Sequence, residues 1–457
     1  MRIFDLAAQI VLASSLLLGS CASYAPEPLA GVPDLRSGVS GLVASSDRFP
    51  LPERRIHRYG LNRPLGIDEI GLITAVNNPD LKAARSRIGV AHAQVFAAGI
   101  LPNPQASADY GFLLGGPGTM NSIVAGLSED IVPLLTLSTR KASAQFNAVS
   151  VELAVIWQEW QTIGRARLLF VDAISLQKQR RLVELFRQLL KNRYETTSAA
   201  MQRGDQTLPT VTNDLVALNA AETLLYDLEQ TILKNKHDLN AVLGLAPEAN
   251  LRLEKDIRLP AIDATKLAPM VAELVARRPD LVALRAGYEA QEEKVRQAII
   301  EQFPKLSVGS NHGQDTSGVR TQSIAITVSV PIFDRNQGGI AVQSATRQQL
   351  HEEYQARLDT AVGEAGRLIS ELRLAEDQYR SAVESVRRLR DAVATAEPAF
   401  QAGNLDERTF VDLRSSLLGK EIATAKLEQI ILEQRIGLQA LVGSRLPNLK
   451  IDLPSLP

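Results

Sequence analysis

One set of motifs occurs twice in this chain, about 200 residues apart, and that duplication constrains the fold more than any other feature. Pro79-Asp80-Leu81 returns as Pro279-Asp280-Leu281, Pro104 as Pro304, and Val132-Pro133-Leu134 as Val330-Pro331-Ile332. The turn Gln202-Arg203-Gly204-Asp205 returns as Gln401-Ala402-Gly403-Asn404. Leu239-Asn240-Ala241-Val242-Leu243-Gly244 returns as Leu438-Gln439-Ala440-Leu441-Val442-Gly443. Because the spacing drifts by only about two residues from end to end, one architectural unit is built twice. Such a chain points to a symmetric assembly rather than to one catalytic pocket.

The start of the chain carries an apolar run, Ile10 to Leu18, that ends in Leu18-Gly19-Ser20-Cys21, and Cys21 is the only cysteine. A membrane span needs about 20 apolar residues, so this shorter run with small residues after it reads as a secretory signal. It resembles the lipobox of bacterial lipoproteins, which implies that Cys21 is the lipidated first residue of the mature chain. A plain signal peptide with an incidental cysteine is the alternative. One cysteine allows no intrachain disulfide.

With 457 residues, 45% of them apolar, 22% charged and a net charge of -1, the chain is too apolar to be disordered and lacks the basic excess of a nucleic-acid binder. No nucleic-acid partner is expected. The five histidines, His57, His92, His237, His312 and His351, are scattered without metal-ligand spacing. No phosphate-binding Gly-rich loop and no nucleophile elbow is present. The expectation is therefore no enzyme, no metal and no cofactor. After the signal region, the longest uncharged stretches are broken by His, Gln, Asn, Pro or Gly, so a membrane crossing would have to use strands.

Residues 22 to about 63 are rich in Pro, Gly and Ser and read as an extended tail. A short helix is expected from Leu65 to Val76, and another from Pro79 to about Ile100, with proline in the first turn where its missing donor does no harm. The period then changes from helical to two. Ala106, Ala108, Tyr110 and Phe112 alternate with polar or small residues, a Gly-Gly-Pro-Gly turn (115–118) follows, and Ile123, Ala125 and Leu127 alternate again. In the second half Leu306 and Val308 precede a polar turn at 313–318, followed by Ile324, Ile326, Val328 and Val330. Each half offers one hairpin of strands about ten residues long, enough to cross a bilayer when tilted. A hairpin packed on a soluble core is the alternative reading.

Long stretches without proline follow, from Leu134 to Leu208 and from Ile332 to Glu397. In the second, steps of four and three from Leu358 pass through Val362, Ala365, Ile369, Leu372, Glu376, Tyr379, Val383 and Val386, the seam of a coiled coil. A helix of about 60 residues would span about 90 Å. Each rod turns at a glycine, Gly204 or Gly403, and returns as a second helix.

Together the lipobox, Asn78-Pro79-Asp80-Leu81, Leu101-Pro102-Asn103-Pro104, Arg278-Pro279-Asp280-Leu281, Phe303-Pro304-Lys305-Leu306 and Val330-Pro331-Ile332-Phe333-Asp334-Arg335-Asn336-Gln337-Gly338 resemble the TolC-like outer-membrane efflux proteins over about residues 60–446. The resemblance implies an α+β homotrimer: four strands per subunit in a shared twelve-stranded outer-membrane β-barrel, continuous with a long periplasmic α-helical coiled-coil barrel. It implies an exit duct of a tripartite export system, passively conducting substrates delivered by an inner-membrane pump and a periplasmic adaptor protein. The turns at Gly204 and Gly403 would be the adaptor-docking points. Acidic residues after the second turn, Asp406, Glu407 and Asp412, would line a pore constriction, although Leu413-Arg414 departs from the family's usual continuation. In a trimer each carboxylate becomes a ring of three that attracts cations; the alternative is solvated charges favoured near a helix N-terminus.

The expected organisation is a signal peptide (1–20), a lipidated extended tail (21–65), repeat one (66–247), a linker (248–265), repeat two (266–446) and a C-terminal tail (447–457). The channel would sit lipid-anchored in the outer membrane, with outer-membrane lipid among its partners; the contrasting function is a periplasmic structural lipoprotein made of helical hairpins, without a pore.

Overall fold

The computed structural model describes residues 24–42, 63–257, 259 and 273–441. The signal segment, Cys21, much of the linker and the C-terminal tail lie outside the described residues. Residues 24–35, taken by themselves, hold no helix or strand. The rest of the described chain runs α1 (Ile67–Asn77), α2 (Pro79–Ala98), β1 (Gln105–Gly111), β2 (Ser122–Asp130), α3 (Val132–Leu135), α4 (Leu137–Gln202) and α5 (Leu208–Val242). The second half repeats that order, without a counterpart of α3, as α6 (Leu274–Arg277), α7 (Pro279–Ile300), β3 (Lys305–Gln314), β4 (Arg320–Ser329), α8 (Gln337–Gln401) and α9 (Glu407–Leu441).

Helices α4 and α8 have 66 and 65 residues, so each is about 100 Å long at 1.5 Å per residue. The return helices α5 and α9 have 35 residues each and cover only about half of that length. The remaining half of α4 is covered by α2 and α7. Ser143 and Ser150 donate to the carbonyls of Ala290 and Ala283 on α7, and Arg85 of α2 reaches Glu159. Nearer the turn, Asn235 of α5 donates to the carbonyl of Leu169. The main core lies where α1, the middle of α4, the end of α5 and α9 meet, around Ile70, Ile73, Phe170, Val171, Leu243 and Ile436.

The coiled-coil seam of α8 keeps Ile369 and Tyr379 packed as the sequence reading has them but departs from it at 362, 376 and 383. Ala365, Leu372 and Val386 are buried as the spacing predicts, but Ala361, Ala375 and Ala382 take the alternate places. Val362 and Val383 stand on the exposed flank. Small alanines let α8 and α9 approach closely, so they form the seam within the chain, and a count weighted toward large apolar side chains selects the flank instead. Pro398 lies inside α8, which continues to Gln401, past the end of the proline-free stretch.

Candidate functional site

The strands form a single antiparallel sheet in the order β1-β2-β3-β4. Successive registers place Tyr110 opposite Ile123, Ala106 opposite Leu127, Val308 opposite Ile326 and Leu306 opposite Val328. Directly paired residues share a face, so these apolar side chains collect on one side of the sheet. Ser107, Asp109, Ser128, Asn311 and Thr327 lie on the other. The apolar side is uncovered in the subunit: Ile324 is 78% exposed, and Tyr110, Ile123, Leu127 and Ile326 are all more than half exposed. A contiguous apolar surface of this kind marks contact with lipid or with another protein. Among the described residues β1 and β4 each pair on one side only, which leaves two open edges. Backbone groups on open edges cannot be left unpaired in a hydrocarbon medium, so in a bilayer this sheet requires further strands.

At the far ends of the rods the two turns share one geometry. Gly204 (φ 84°) and Gly403 (φ 75°) lie in the left-handed region. The amide of Asp205 donates to Ala200 O at 2.9 Å and that of Asn404 to Ala399 O at 2.8 Å. This six-to-one bond satisfies a terminal helix carbonyl and needs the left-handed residue before it. No neighbouring atom crowds either glycine, so backbone conformation alone calls for glycine here.

The three sequence-predicted acids occupy different settings. Asp406 precedes α9 and caps it, its carboxylate accepting from Thr409 N–H at 2.9 Å and Thr409 Oγ1 at 2.6 Å. The Thr409 hydroxyl and then its amide hold that carboxyl below the usual range. Glu407 opens the first turn of α9, the end of the helix dipole that favours a negative charge. Asp412 is half exposed and pairs with Arg193 of α4, which also reaches the buried Asp214 of α5, Nε to Oδ1, at 2.8 Å. Sequence reasoning missed Arg193 and Asp214, because nothing local connects residues 219 positions apart.

Two other charged groups were not foreseen. Arg278, fully buried, grips Asp280 through Nε at 2.9 Å and Nη2 at 2.7 Å and lies over the ring of Trp157 at 4.7 Å. Arg357 of α8 reaches the same carboxylate at 2.7 Å. Burial alone would raise the Asp280 pKa; Arg278 and Arg357 overcome it and hold the carboxyl low. Between α4 and α9, Gln429 Nε2 donates to Asp172 at 2.9 Å and to Glu433 at 2.7 Å. Burial first, and then the neighbouring Asp172, push the Glu433 carboxyl up to about 7.

A small sheet with an uncovered apolar face, carried on paired helical rods about 100 Å long, is the fold that solved outer-membrane channel subunits have. The solved structures agree with this fold. The outer membrane protein VceC of Vibrio cholerae superimposes with a TM-score of 0.67 at 17% identity, over 82% of this chain and 96% of that one. The CmeC channel of Campylobacter jejuni does so with a TM-score of 0.66 at 13% identity, over 94% and 96%. Residues 270–444 match the family model described as outer membrane efflux protein. Among curated relatives, the pyoverdine export outer membrane protein OpmQ of Pseudomonas putida is 24% identical over 94% of this chain and 95% of its own. The multidrug resistance outer membrane protein MdtP of Escherichia coli O157:H7 is 23% identical over 81% and 79%. Residues 270–444 thus match the outer membrane efflux protein model, and the chain as a whole is similar to the TolC-like channels in sequence and in fold.

Proposed function

We propose that this chain is the outer-membrane channel of a tripartite export system, active as a homotrimer. The observation that carries the reading is the four-stranded sheet, apolar outside and open at both edges, joined to the long helices. Three copies close a barrel of twelve strands and leave no edge. The flank of α8 bearing Val362 and Val383 then packs against a neighbouring subunit, which removes its exposed apolar side chains from water. The wall conducts passively, and selection and energy come from an inner-membrane pump joined by a periplasmic adaptor that docks at the turns around Gly204 and Gly403.

Cys21 carries the lipid anchor that adds to the hold of the barrel in the outer membrane. Around the threefold axis Asp412, with Asp406 and Glu407, forms the acidic constriction, and Arg193 sets how much of the Asp412 charge the pore feels.

The test is ion conductance in planar bilayers together with heat-resistant trimers on a gel. Stable trimers that conduct support the reading. A monomer, or a trimer without conductance, leaves a structural lipoprotein built of helical hairpins as the better description.

A further inference from the structure

Apart from Glu129, which pairs with Val308 at the helix end, the apolar face of the sheet gives way to polar side chains toward the turn of β3 and β4. On β1 and β2 it stays apolar toward the turns, through Ala108, Tyr110, Ala125 and Ile123. On β3 and β4 it changes along the strands: Val308 pairs with Ile326 and Ser310 with Ile324, but His312 pairs with Gln322 and Gln314 with Arg320. The four polar side chains form a compact block beside the 315–319 turn, at the end of the strands opposite to α7 and α8. The block is ordered internally. Gln322 Nε2 donates to Ser310 Oγ at 2.6 Å, which turns its Oε1 toward His312 Nδ1 at 3.1 Å. Arg320 donates from Nε to Gln314 Oε1 at 3.2 Å. Its terminal Nη amines make no bond among the described residues.

Within a barrel wall, a guanidinium on the lipid side is tolerated only near the membrane–water boundary. Because the turns lie opposite the helices, that boundary is the outer one. We propose that His312, Gln314, Arg320 and Gln322 form a docking surface for a phosphorylated lipid headgroup of the outer leaflet, with the fork of Arg320 on a phosphate. The planar fork suits two phosphate oxygens, and its partner Gln314 holds it in place. Being outward, the block stays accessible when β4 pairs with the next copy. The inference rests on the barrel reading given above.

The experiment uses purified full-length protein in phosphatidylcholine nanodiscs, doped with bisphosphorylated lipid A or with the same lipid dephosphorylated, and counts retained lipid by native mass spectrometry. The parent should retain the phosphorylated form about tenfold better, the scale of a charge-assisted contact. Arg320→Gln should lose that preference, Arg320→Lys should keep part of it, and excess inorganic phosphate should not displace the lipid. Equal retention of both lipids by the parent, or a preference unchanged in Arg320→Gln, would overturn the proposal. Full displacement by inorganic phosphate would make the block an anion site and not a lipid one, which also overturns it. Trimer mass and conductance of each preparation are recorded in parallel. Their loss in the parent counts against the barrel itself, whereas intact conductance without lipid preference counts against this surface alone.

Discussion

Helices α4 and α8 occupy equivalent places in the two halves and are nearly equal in length, yet thirteen residues of α4 are buried and only six of α8. Helix α4 is the spine of the subunit and packs against α1, α2, α5, α7 and α9, whereas α8 packs chiefly against α7 and α9. Duplication thus produced two rods of one kind and gave them different work. One is an interior element, and the other is an edge whose flank suits a neighbouring copy.

The short helices beside these rods diverge in the same way. In the first half Asn78 caps α2, accepting from Leu81 N–H at 3.0 Å and donating to Val242 O at 2.9 Å, while Asp80 stays exposed. In the second half Arg278 replaces Asn78, and Asp280 is buried in its grip and that of Arg357. One backbone device, proline in the first helical turn, serves both. The side chains differ because α7 is enclosed between α4 and α8, and a buried charge there demands a partner.

The largest expected effect breaks that contrast at its buried end. Arg278→Ala leaves Asp280 in a low-dielectric site with Arg357 alone, and should cost about 3–5 kcal/mol in a denaturant titration. Next, Ile326→Arg sets a charge on the apolar face, costing about 2–4 kcal/mol if the site is near the bilayer centre, while Thr327→Arg on the other face should be tolerated. Yields of heat-resistant trimer read this out, and equal damage at both sites would contradict the assignment of the faces. Asn78→Ala removes a cap and should cost only about 1 kcal/mol in the same titration as Arg278→Ala. Similar losses at 78 and 278 would mean that the two helix starts are not differently enclosed.

The smallest effect concerns pH. Glu433 holds its proton up to about 7 in the folded chain, against an ordinary 4.5. Between those values the folded state binds more protons than the unfolded one, so stability falls as pH rises through that window. Glu433 is only half buried, so the slope should be shallow. Glu433→Gln should flatten the melting temperature between pH 5 and 7, and an unchanged slope would place the cause elsewhere.

Period and punctuation in the sequence carried the elements themselves. Alternation from Ala106 to Phe112 and from Ile324 to Val330 pointed to the strands found at Gln105–Gly111 and Arg320–Ser329, and Gly204 and Gly403 to the turns, because local sterics decide both. The seam of α8 was half legible, since alanines at 361, 375 and 382 act through helix approach and carry little signal of their own. Partners such as Arg193 for Asp412, or Gln429 for Asp172 and Glu433, were not legible. They lie on different helices and are joined only by the packing of α4 against α9. How the acids at 406, 407 and 412 face a pore depends on copies of the chain that one sequence does not orient.

The central claim is that this sheet is a wall with lipid on one side and water on the other. The direct measurement places a nitroxide label in turn at Ile324, Ala325, Ile326, Thr327 and Val328, in a Cys21→Ser background in lipid bilayers, and compares relaxation by oxygen with relaxation by a water-soluble nickel chelate. Oxygen should dominate at 324, 326 and 328 and the nickel chelate at 325 and 327, a period of two set by the strand. Uniform access to the nickel chelate at all five positions would contradict the wall, and with it the channel.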